Sequence, residues 1–134
     1  MDDLARQTID RCAAASHDGS AHFPDIVAAL LGAGVESYHA DYRVQRTTYY
    51  LRDGQSHAVA LPAPAVAIGE SFDAGALQDA IRGAQAGRVM YPEFLRRSRA
   101  AGCVGYAAWL AGRNVSYWGR RGETHVERFQ GASA

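Results

Sequence analysis

The chain has 134 residues, 48% hydrophobic and 21% charged, and its 14 basic residues, all arginine, balance 14 acids. That length suits one domain with a modest core, and zero net charge argues against bulk nucleic-acid binding. No run approaches the ~20 apolar residues of a membrane span. The acidic start MDDLARQTID is no secretory signal, and two distant cysteines, Cys12 and Cys103, make no disulfide framework. Buried free thiols and a cytoplasmic location are expected.

An apolar stripe of Leu4, Thr8, Ile9 and Cys12 predicts a first helix. Phe23-Pro24 opens a second, because proline tolerates the first turn where its missing N–H had no partner. Ala33-Gly34 ends it, with glycine free to take the left-handed cap. Strands are predicted at about 35–42, 47–52 and 55–61, with Asp53-Gly54 read as a two-residue hairpin. A proline-bearing linker, 62–68, follows. The second half repeats the order: a stripe of Phe72, Ala76, Leu77, Ala80 and Ile81, then Tyr91-Pro92, then Ala101-Gly102. Strands are predicted at 103–111, 114–119 and 123–129, the last two joined through Arg121-Gly122.

Sliding the sequence on itself by 68 positions, without gaps, aligns these signals. Gly19 meets Gly87, Pro24 meets Pro92, Tyr38 meets Tyr106, Tyr49 meets Tyr117, Arg52 meets Arg120, and His57 meets His125. The expected fold is therefore α+β: a duplicated α-α-β-β-β unit, residues 1–61 and 69–129, within one domain spanning 1–134. Its strands would be antiparallel, its helices on one face, and its halves related by an approximate two-fold. The first half has five arginines against eight acids and the second nine against six, formal charges of −3 and +3. Such halves attract one another, within a chain or between copies, so a homodimer is an expected partner.

The halves differ on their last strand. In the first, one face carries Gln55, His57, Val59 and Leu61; in the second it carries Glu123, His125, Glu127 and Phe129. A sheltered carboxylate needs a partner, and His125 is the nearest along the strand. A site here would use His125, Glu127, Glu123 and Tyr117 for proton transfer. Arg120, Tyr49, His57 and Trp118 would hold a small polar or anionic ligand. The competing reading is an edge strand whose acids are solvated or paired with Arg128 or Arg120. No metal set is complete, and no Gly-rich phosphate loop, CxxC, HExxH or GxSxG occurs, so no cofactor is expected.

The stretches GVESYHADYR, TTYYLRDG, AIRGAQAG, YPEFLRR, AAGCVGY and VSYWGRRGETHVERF, taken in order, resemble domain-of-unknown-function family 1398. The resemblance implies a small α+β protein from a bacterium or its prophage. It carries over no activity and no catalytic residue. The leading expectation is a non-catalytic binding or interaction module. The alternative is a small acid–base enzyme or ligand binder using His125 with Glu123 and Glu127.

Overall fold

The computed structural model describes residues 1–129. Helix α1 spans Asp3–His17, opened by Asp2, whose carboxylate accepts the Ala5 N–H at 2.7 Å. This side-chain cap satisfies one of the four N–H groups that a helix leaves without a partner. Helix α2 is Phe23–Gly32, followed by β1 Val35–Asp41, β2 Arg46–Leu51 and β3 Ser56–Ala60. Then come α3 Ala74–Gln85, α4 Tyr91–Ala100, β4 Cys103–Trp109, β5 Asn114–Gly119 and β6 Thr124–Arg128. Asp73 caps α3 as Asp2 caps α1. Among the described residues, no helix is long and apolar enough to cross a membrane.

The strands form one antiparallel sheet in the order β3-β2-β1-β4-β5-β6. The halves therefore meet along β1 and β4, where Tyr38 pairs with Ala108, His39 with Ala107 and Ala40 with Tyr106. From α2 onward, apart from α3, each element of the second half begins and ends 68 positions after its counterpart. Backbone exceptions keep the same offset. Gln45 and Arg113 both take positive φ, and both β1 and β4 shift register near their start.

The inner face of the sheet presents Tyr38, Tyr49, Tyr106 and Tyr117 to a core that includes Ile9, Leu30, Leu77, Ile81 and Phe94. Its outer face leaves Tyr50, Trp109 and Val126 exposed. There His39 sits between the rings of Tyr50 and Trp109, with centroids at 5.0 and 5.1 Å, and its Nε2 is buried without a hydrogen-bond partner.

Three local expectations need correction. Leu4 is exposed, and α1 instead buries Ala5, Ile9, Cys12 and Ala13. These positions recur at i, i+4, i+7 and i+8, one face of an α-helix, and Leu4 falls beside that face. In the second half α3 starts at Ala74, so Phe72 precedes the helix, and Ala76 is exposed. The hairpins have three-residue loops, closed by Leu51 N–H to Gln55 C=O and Gly119 N–H to Glu123 C=O, each at 2.9 Å. In each loop only the glycine, Gly54 or Gly122, has positive φ. A two-residue type I′ turn would require two such residues, whereas a three-residue loop needs one.

Candidate functional site

A cavity of about 80 Å³ lies between the helices and the inner face of the sheet. Both halves build it. The strands contribute Tyr38, Thr47, Tyr49, Tyr106, Val115 and Tyr117, and the helices contribute Ile26, Ile81, Tyr91 and Phe94. His17, His22 and Gln85 stand where the helix ends meet. Strand alternation explains the tyrosines: positions 38, 49, 106 and 117 all fall on the inward side of central strands.

Two of the phenols are satisfied by one another, Tyr91 and Tyr106, with hydroxyls 2.8 Å apart. Tyr42, deeper in the core, shares a 2.8 Å hydrogen bond with Ser98. The hydroxyls of Tyr38, Tyr49 and Tyr117 have no hydrogen-bond partner among the described residues, although each of these side chains is only 6% exposed. Burial holds all three phenols protonated far above the usual tyrosine range. None of the three oxygens is sealed off, since among the described residues His39 Nε2 is the one fully buried side-chain polar atom without a partner; the phenol rings are packed away while their hydroxyls stay open to a guest.

Behind two of these tyrosines stands a histidine–carboxylate pair. On β6, His125 pairs across the sheet with Tyr117, and its Nε2 is 2.9 Å from Glu127 Oε2. Both side chains are largely shielded, 20% and 16% exposed. On β3, His57 pairs across the sheet with Tyr49, and its Nε2 is 2.8 Å from Asp10 Oδ1 on α1. The two histidines are equivalent under the 68-residue offset, but their carboxylates are not. Position 10 corresponds to Gln78, and Glu127 corresponds to Val59. The same pair is made with the acid on the helix in one half and on the strand in the other.

The structure thus brings together His125 and Glu127, with Tyr117 beside them, and places His57 and Tyr49 in the matching position of the other half. Glu123 goes elsewhere: its carboxylate accepts the Arg121 N–H at 2.9 Å and braces the β5–β6 hairpin. Arg120 donates to the Ile68 and Gly69 carbonyls at 3.1 and 3.3 Å, so it fastens the linker instead of facing the cavity. Trp118 pairs with Thr124 and points to the outer face, one residue out of phase with Tyr117. Sequence reasoning missed Asp10. The signal was available at the 68-residue offset, where Glu127 stands against Val59 and Gln78 against Asp10. It also left the cavity unplaced, because periodicity tells which side of a strand a tyrosine takes but not whether the space before it is filled. Among the described residues, no group of three or more His, Cys, Asp or Glu could hold a metal ion.

Fold and cavity together define a two-layer α+β protein with a tyrosine-lined chamber between its layers. The family model described as Protein of unknown function (DUF1398) matches residues 12–127. The chain belongs to that family. No curated protein matches it.

Proposed function

We propose that this chain is a small-ligand-binding module and that the tyrosine-lined cavity is its site. The observation that carries the reading is that three largely buried tyrosines, Tyr38, Tyr49 and Tyr117, line one cavity with hydroxyls that have no hydrogen-bond partner among the described residues. Pockets with apolar walls and a few convergent polar groups are the usual form of a ligand site. The shared 68-residue offset of strands, turns and register shifts supports a duplicated unit, so that the cavity lies on an approximate two-fold between the halves. A fragment screen by NMR tests the reading. Binders should shift the ring resonances of Tyr38, Tyr49 and Tyr117, and Ala84→Leu, which adds bulk to the lining, should abolish those shifts while leaving the circular dichroism unchanged. A screen covering neutral, anionic and cationic fragments that moves none of these resonances would refute it.

A second reading is favoured by the His125–Glu127 bond beside Tyr117. In it Glu127 orients the imidazole and His125, which stands behind Tyr117 and is not itself on the cavity wall, moves a proton to or from a molecule bound against that end of β6. Incubating hits from the screen in D2O measures this directly. Catalysis would insert solvent deuterium at carbon, about 100-fold more slowly in His125→Gln, whereas absence of exchange leaves binding alone.

A further inference from the structure

Among the described residues, no Asp, Glu, Lys or Arg lines the cavity. The carboxylates that act on Tyr49 and Tyr117, Asp10 and Glu127, are each bonded to a histidine. His22, at the rim, is exposed to water. Burial holds His17 below its ordinary value, against the upward pull of Asp18, so its imidazole tends to be neutral near neutral pH. What remains is a largely aromatic and aliphatic wall whose polar groups are uncharged: the unpaired hydroxyls of Tyr38, Tyr49 and Tyr117, each able to donate or accept, the mutually bonded pair Tyr91–Tyr106, and the side chains of Ser16, Thr47 and Gln85.

Such a chamber selects by charge. An ionised guest would lose its hydration and meet no counter-ion, a cost that two or three neutral hydrogen bonds do not recover. An uncharged guest would pair the idle hydroxyls and cover apolar carbon at once. Size bounds the guest too: about 80 Å³ is roughly half of the ~150 Å³ that accommodates benzene in an engineered apolar cavity. Building on the ligand-binding reading, we propose that the cavity takes a small uncharged molecule with an apolar body and one hydrogen-bonding head, such as a short-chain amide or alcohol.

The test uses three matched probes, propionamide, propionate and propylammonium, titrated into the whole protein at pH 7.5 and followed through the tyrosine ring resonances. Propionamide should shift the rings of Tyr38, Tyr49 and Tyr117 with a Kd at least tenfold below that of either ion. Tyr38→Phe, Tyr49→Phe and Tyr117→Phe should each weaken it about fivefold or more while leaving thermal stability unchanged or raised, since each removes an unpaired hydroxyl. A merely structural role for the hydroxyls would leave the amide's affinity unmoved. Equal or tighter binding of either ion at these rings overturns the uncharged-guest inference and leaves the cavity a binding site, with a cation pointing to the ring faces as the attractant. Silence of all three probes also overturns it, and the fragment screen above then decides separately whether the cavity binds anything.

Discussion

His39 shows what a single side chain can cost this fold. Its ring is clamped between Tyr50 and Trp109, its Nε2 is buried without a partner, and burial lowers its pKa. A histidine depressed in the folded state contributes its full share of stability above the ordinary value of 6.5, and that share is lost as pH falls through the folded value. His39→Phe keeps the ring stack and removes the orphan nitrogen. It should raise stability by about 1 kcal/mol at pH 7 and lessen the fall in Tm between pH 6.5 and 5. An unchanged pH profile in a scanning calorimeter would show that His39 takes no part in it. Gly105 is constrained by its neighbours in a different way: a Cβ there would lie 2.5 Å from the Ala40 carbonyl oxygen across the central seam. Gly105→Ala should destabilise by about 2 kcal/mol or more, read from urea denaturation. Neither environment was legible in the sequence. A glycine and a histidine in strand register look ordinary until the neighbouring strand is known.

The elements were legible because each carries its own punctuation. Asp at the helix starts, Pro in the first turn of α2 and α4, and glycine past their ends all act locally, within a turn or two. The partner of His57 was not legible, since it lies 47 positions away on another element. The two placements of the acid, on α1 for His57 and on β6 for His125, give an element-level prediction. Asp10→Gln should break the His57 bond, and adding Val59→Glu should restore it from the strand, as Glu127 does for His125. The 15N shifts of the His57 ring report the bond, and a double variant that looks like the single one would show that α1 and β3 are not interchangeable carriers. The same two placements explain why β6 compared with β3 alone suggested a site in the second half only. Viewed with the helices included, both halves keep a histidine and an acid beside a tyrosine.

At the scale of the whole molecule, the β1–β4 pairing makes one sheet out of two three-stranded pieces, and the cavity lies across that join. The linker between the pieces contributes no strand to the sheet. It is tied to the second half by Arg99 to Val66 at 2.8 Å, by Arg120 to Ile68, and by the Gly69 N–H to the Arg99 carbonyl at 2.8 Å. These bonds hold the connection in place, but the seam itself does not depend on the chain being continuous there. The tether's contribution is to local concentration, which for a short connector is in the millimolar range. A protease cut near Ala63 should therefore leave two fragments that co-elute on gel filtration near the intact size and part on dilution, with the chamber opening as they separate. Covalent continuity here sets how often the two pieces meet, while the fit of one piece against the other sets what they make.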